Sequence, residues 1–306
     1  MKSVNSMVVA FDGESKCGKT TIINAVATEA FYQASVIPSL LDGTGGFSTA
    51  TIDNVRCELS AFQEALTFNS ISTISAGNMF RAAALYVSEE EKKGAMKESF
   101  DSSDLSKLRD LLAVDGIQDV LQEDPTIGRR VSSVAKMPGV QALCSSIFCD
   151  NIITSYHADG GGNLVIVDAR NPVGAMQRNG IIGNGESQIM PGSILPIYID
   201  TPTEVAAARM GGVLADKIEE VSSRRHMDAT REELPVTAPE VVIDDMSIWL
   251  KQFDDSEARA TVAVPYRLDN GEGVGLNNIQ YFAGRIAVSA QDIACWFNFR
   301  GLGATL

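Results

Sequence analysis

Histidine is nearly absent from the 306-residue sequence: His157 and His226 are the only two. The five cysteines (Cys17, Cys57, Cys144, Cys149, Cys295) are scattered and odd in number. Cys144 and Cys149 lie close together but lack zinc-type spacing, so neither a metal cage nor a disulfide framework is expected. Buried, reduced thiols in a cytoplasm (a host's, if the chain is viral) are the expectation. No stretch approaches eighteen unbroken apolar residues, which argues against a membrane-spanning helix. The segment Met1–Ser6 has no long apolar run, and a leader would have to swallow the glycine-rich loop that follows, so none is expected. Positive charge is scarce as well. Lys and Arg total 25 against 39 Asp and Glu, a formal net charge of −14. That balance disfavours a protein that grips duplex nucleic acid by its backbone. It leaves room for a small anionic ligand held by a few focused cations.

Against these absences stands one dense motif, "FDGESKCGKT", Phe11 to Thr20. Gly13, Gly18, Lys19 and Thr20 fit the phosphate-loop spacing G-x-x-x-x-G-K-[ST]. The apolar run Met7-Val8-Val9-Ala10-Phe11 predicts a buried strand before it, and 20–27 continue with helical spacing. A glycine-rich strand-to-helix turn without a ligand is the minority reading. Cys17 is read as a small residue that fits the loop.

No repeat is found. Segment 38–70 is loose in composition and reads as an insertion ending in a helix near 58–67. Residues 76–87 predict a helix carrying Arg81, and 88–114 a charged, mainly helical, solvated face. Two further helices are interrupted at Pro138. "LVIV" at 164–167 predicts a strand ending at Asp168 and Arg170; "SILPIYID" predicts another, with Thr201 as helix cap. "PEVVIDDMSIWLKQF" reads as a last strand and helix. Uninterrupted Val/Ile/Leu strands separated by helices predict an α/β fold, a parallel sheet flanked by helices. Beyond residue 254 turn signals and β-rich flanks mark a C-terminal extension, 254–306, expected to pack on the body or make an oligomer contact.

Loop residues Gly13, Glu14, Ser15, Lys16, Cys17, Gly18, Lys19, Thr20 and Thr21 are the candidate triphosphate contacts, because backbone N–H groups and a helix N-terminus favour phosphate oxygens. Lys19 would reach the terminal phosphates, Thr20 would ligate Mg²⁺, and Asp168 would hold the metal's water shell. Phosphoryl transfer needs charge neutralisation, and arginines recur at Arg81, Arg170, Arg224, Arg225 and Arg231. Arg224, Asp228 and Arg231 share one helical face by their i, i+4, i+7 spacing; a solvated, ion-paired helix has the same pattern.

Taken in order, these segments resemble the cytidylate kinases, P-loop nucleoside monophosphate kinases. "VVAFDGESKCGKTT" is similar to their opening strand and phosphate loop, and "SAGNMFRAAAL" to a helix start with Gly77 and Arg81 matching. "SSVAKMPGV" is similar to a segment beside the acceptor base. "LVIVDARNPVG" matches at Asp168, Arg170 and Gly174, and "RRHMDATREELPV" matches a lid pattern at Arg224, Asp228, Arg231 and Pro235. The likeness runs from residue 7 to 253, less 38–70 and 87–125.

It implies a P-loop, nucleotide-kinase core over 1–253 with an insertion at 38–70, an acceptor-side helical region at 87–125 and a lid at 211–236. ATP and Mg²⁺ are the implied cofactors. Arg81, Arg170 and Arg231 would hold the acceptor's phosphate, Arg224 and Asp228 its sugar, and the lid arginines would act in transfer. Gln141 stands where the family's cytosine-reading arginine is expected, and Asn171 replaces an aspartate. Two amides in place of a charged pair imply an acceptor base other than cytosine, with a uracil-type or thymine-type edge suited to them. A free pyrimidine (deoxy)nucleoside monophosphate is the leading acceptor. The alternative is DNA, as in bacteriophage kinases that phosphorylate 5-hydroxymethyluracil during thymidine hypermodification. A non-catalytic nucleotide-binding regulator ranks last, since Lys19 and the lid arginines are retained. No membrane partner is implied, and the oligomeric state is left open.

Overall fold

The computed structural model describes residues 6–14, 16–28, 68–229 and 266–269. Strand β1 (Met7–Asp12) is buried along nearly its whole length, as an uninterrupted apolar run in a sheet's centre must be. It pairs in parallel with β3 (Asn163–Asp168) on one side and β4 (Ile194–Asp200) on the other. β2 (Ser70–Ser75) adds in parallel to β3, and β5 (Tyr266–Asp269) to β4. The sheet order is β2-β3-β1-β4-β5. This is the expected α/β architecture, an all-parallel sheet flanked by helices.

Two placements differ from the sequence pattern. No strand signal marks 70–75, where Ser70, Ser72, Thr73 and Ser75 interrupt the apolar residues; β2 is an edge strand, half-buried, so polar side chains are tolerated there. Tyr266–Asp269 lies within the segment read as an extension, yet it joins the core sheet. The strand expected in "PEVVIDD", the insertion's helix at 58–67, Cys57 and Cys295 lie outside the described residues.

Helix α1 (19–28) follows β1 and buries Ile22, Ile23 and Val26. Helix α2 (Ala76–Lys92) begins directly where β2 ends. Four helices then pack around it: α3 (Asp104–Leu112), α4 (Ile117–Glu123), α5 (Pro125–Val134) and α6 (Val140–His157). Asp124 caps α5 by accepting the Thr126 N–H, with Pro125 at the first helical position. The break between α5 and α6 falls at Pro138, as expected. Gly139 closes it with φ of +80°, where a Cβ would run into the Phe100 carbonyl. Val8, Ala10, Val165 and Val167 on one sheet face join Met79, Ala83, Leu143, Ile147 and Phe148 in the main core. The alternate side chains Met7, Val9, Phe11, Leu164 and Ile166 are also fully buried, so both faces of the sheet are covered.

Between β3 and β4, α7 (Pro172–Arg178) is a short helix; after β4 come α8 (Thr203–Met210) and α9 (Leu214–Ala229). α8 and α9 meet through a small apolar cluster of Ala206, Ala207 and Val221. Among the described residues no helix is long and apolar enough to cross a membrane. Cys17, Cys144 and Cys149 are buried and in no disulfide, and burial pushes the Cys144 and Cys149 thiols up to about 12.

Candidate functional site

All five strands run the same way, so their carboxyl ends share one edge. The chain leaves β1 toward β2 and leaves β3 toward β4, in opposite directions across the sheet. The carboxyl ends of β1 and β3 therefore flank a topological switch point, where open α/β sheets form a crevice. Register brings Phe11 and Ser75 level with Asp168. Asp12, the phosphate loop, Ser75, Asp168 and Arg170 all collect at this crevice.

The loop turns sharply through Gly13, Lys16 and Gly18, each with positive φ (139°, 66° and 89°). A Cβ on Gly13 would stand 2.6 Å from the Ile199 carbonyl oxygen and 2.8 Å from Cys17 Sγ. Cys17 is buried beneath the loop, and burial raises its thiol against the pull of Lys19. It is thus the small packed residue the sequence suggested. Thr201 does not cap α8, which begins after Pro202; its hydroxyl instead donates to the Cys17 carbonyl at 2.8 Å and ties the loop to the end of β4. Gly13→Ala is expected to cost about 1–3 kcal/mol of stability, since the new methyl meets backbone on one side and the buried sulfur on the other. Denaturant unfolding measures that loss.

Lys19 folds back over its own loop. Its ammonium donates to the Gly13 carbonyl at 2.6 Å and the Glu14 carbonyl at 3.3 Å, and lies 3.7 Å from Cys17 Sγ. Thr20 is exposed at the start of α1. Asp12 accepts the Gly13 N–H at 2.6 Å; burial raises its carboxyl, with the Asn171 and Gly13 N–H groups, Lys19 and Arg170 pulling it down.

Asp168 gathers the predicted cations. Burial raises its carboxyl, and Lys19, the Ser75 hydroxyl, Arg81 and Arg170 oppose that rise. Ser75 Oγ stands 3.4 Å from Asp168 Oδ2 and makes no cap bond for α2, although serine at that position usually caps. Arg81 reaches the same place one turn into α2, braced by Asn78 Oδ1 at 3.2 Å. Three cations read from three distant segments therefore share the field of one partly buried carboxylate.

Other predicted residues are placed differently. Asn171 has φ of +49°, and its Oδ1 accepts the Gly174 N–H at 2.9 Å, so its carboxamide oxygen caps α7. Gln141 donates from Nε2 to the Ala135 carbonyl at 3.0 Å, joining the start of α6 to the end of α5. Arg224 is half-exposed and pairs with Glu220 one turn earlier at 2.8 Å, the ion-paired solvated face that the spacing also allowed. Ser15, Arg231 and the Asp228 side chain lie outside the described residues.

No family model matches this chain, and no curated protein does.

The sequence assigns no role to Asp12 or Ser75 and sets Arg225 only among the recurring arginines. It is Arg225 that turns toward the loop: Nε lies 2.9 Å from Glu14 Oε2, and Nη1 donates to Thr203 Oγ1 at 3.1 Å. Among the described residues no group of three or more His, Cys, Asp or Glu converges to hold a metal on protein ligands alone. Mg²⁺ in phosphoryl-transfer sites needs no such group, since it keeps several waters and takes substrate phosphate oxygens beside one or two protein ligands.

Proposed function

We propose that this chain is a P-loop nucleotide kinase. It transfers a phosphoryl group from ATP–Mg²⁺ to a nucleotide acceptor, with a pyrimidine (deoxy)nucleoside monophosphate as the acceptor the resemblance favours. The carrying observation is the glycine-rich turn after β1, with Lys19 folded over it, beside Asp168 at the end of the paired strand β3; Lys19, Arg81 and Arg170 all act on that carboxylate. The β2-β3-β1-β4-β5 order supports the reading, because it sets the loop after β1 and Asp168 after β3 on the two sides of one crevice.

The residues fit the group. The loop turns back on itself through positive φ at Gly13, Lys16 and Gly18 and leads into the N-terminus of α1, where backbone N–H groups lack intrahelical acceptors. Thr20 and Asp168 would hold Mg²⁺, and ATP with its metal supplies the transferable phosphoryl group when bound. Lys19 neutralises charge on the donor side. Arg81 and Arg170, presented from α2 and from the end of β3, orient an anionic acceptor toward it. Such transfer rests on positioning and charge neutralisation, which converging cations supply. Asp168 must be ionised to act on a metal's water shell. Its raised carboxyl keeps a proton to higher pH than a free aspartate does, so kcat/KM is expected to climb as pH rises through that raised value. Asp168→Asn should flatten this acid limb along with lowering the rate. The stability sign runs the other way: the buried Asp168 proton stabilises the fold at low pH, and that contribution falls as pH passes from the unfolded value through the folded one.

The deciding experiment incubates the protein with labelled ATP, Mg²⁺ and each ribo- and deoxynucleoside monophosphate in turn, with DNA containing or lacking 5-hydroxymethyluracil alongside. Label in a pyrimidine diphosphate is expected. Label confined to modified DNA would replace the acceptor and keep the kinase; no transfer to any acceptor would end the reading.

A further inference from the structure

The face that α9 turns to the phosphate loop is charged in opposition to it. Arg225 on α9 meets Glu14 in the loop at 2.9 Å, with side chains only 11% and 26% exposed, so solvent screens this pair weakly. Lys16 on the loop in turn lowers the carboxyl of Glu220 on α9, which Lys217 and Arg224 lower as well. Arg225 is held from one end only. Nη1 bonds to Thr203, but the Glu14 carboxylate lies off the hydrogen-bond direction of Nε, and buried Nη2 has no acceptor among the described residues. A guanidinium presents five donors, and burying part of them unmatched is costly unless an acceptor arrives. The carboxylate that faces it belongs to the very loop whose geometry suits phosphate, two oxygens standing where an anion's oxygens would add more.

We propose that Glu14 and Arg225 form a latch between the phosphate loop and α9, in which the Glu14 carboxylate holds the guanidinium until a triphosphate takes its place. The inference rests on the kinase reading of the site and adds a regulatory contact to it. Arg225 exchanges an imperfect carboxylate contact for phosphate oxygens, which satisfy its unmatched donors. Glu14 competes with the ligand, so the latch sets triphosphate affinity. It also keeps α9 docked on the loop when no triphosphate is there.

The test is a double-mutant cycle on the full chain, reading ATP–Mg²⁺ affinity by calorimetry for the parent, Glu14→Gln, Arg225→Gln and the double variant. Competition for Arg225 means that Glu14→Gln tightens binding about ten-fold while Arg225 is present and less than about two-fold once it is Gln. Equal tightening in both backgrounds would show that Glu14 acts only as a nearby negative charge, and the latch falls while the kinase reading stands. A parent chain that binds no triphosphate removes both. Hydrogen exchange without nucleotide reads the latch directly: amides of 214–229 should exchange faster in Glu14→Gln and regain protection when ATP–Mg²⁺ is added. Unchanged exchange would overturn it.

Discussion

Lys19→Ala should lower phosphoryl transfer by about 10²–10³-fold or more, the scale on which single electrostatic contacts to a developing anion count. The ammonium bridges the Gly13 and Glu14 carbonyls and lies within the field of Asp12, Cys17 and Asp168. Its loss leaves the partly buried carboxylates of Asp12 and Asp168, at the ends of β1 and β3, each with one cation fewer. Both carboxyls should then rise further, and triphosphate affinity should fall with the rate. The fold itself should survive, because the lost donor leaves two loop carbonyls short of a partner, a cost of about 1–3 kcal/mol. Steady-state kinetics with a parallel melt distinguishes the two effects. Turnover within ten-fold of the parent would place the catalytic centre elsewhere.

The second large effect concerns stability and lies far from the loop. Asp104, 1% exposed at the start of α3, pairs with Lys97 at 2.8 Å and accepts from the Tyr86 hydroxyl at 3.1 Å and the Asp101 N–H at 3.0 Å. Lys97 also sits over the Tyr86 and Phe100 rings, 5.5 and 5.1 Å from their centroids. Burial pushes the Asp104 carboxyl up, but the Lys97 ammonium, the Asp101 N–H and the Tyr86 hydroxyl outweigh it and hold the group below the usual carboxylate range. Asp104→Ala removes one partner of a buried pair and strands the other, at a cost of about 3 kcal/mol. A thermal melt should show a fall of several degrees with phosphate-site geometry intact. The pH dependence carries the same sign as any depressed carboxylate: the contribution is full above the unfolded value and disappears as pH falls through the lower folded one. In Asp104→Ala the acid unfolding curve should lose that component, and an unchanged midpoint would refute the hub.

How much of this was legible beforehand depended on range. The loop could be recognised because its chemistry is local: glycines for positive φ and a lysine and threonine at fixed offsets, between an apolar run and a helical period. β1, β3 and β4 were legible for the same reason, each being buried on both faces and so apolar over most of its length. β2 was not, since an edge strand half open to solvent has no need of that composition. Thr201 was assigned as a cap on local grounds, and its hydroxyl instead reaches Cys17, far away in sequence. The family resemblance makes Asn171 and Gln141 base-reading amides. In the fold the Asn171 oxygen is engaged by its own helix and the Gln141 amide by the preceding one.

Helix α9 shows the limit most clearly. Arg224 and Arg225 are neighbours in the chain and point about 100° apart on a helix. Composition, charge and spacing treat them alike. Which one faces the loop depends on how α9 is rolled against α8, and Val221 with Ala206 and Ala207 decides that roll. By itself the sequence determined the sheet-forming segments, the phosphate-type turn and the stock of cations, because these follow from backbone sterics and periodic burial. The tertiary structure alone decided which cations meet Asp168, that Ser75 turns to it rather than to its helix, and that Arg225 faces Glu14. Those choices rest on distances between segments far apart in the chain, which only the register of the parallel strands and the packing of α9 set.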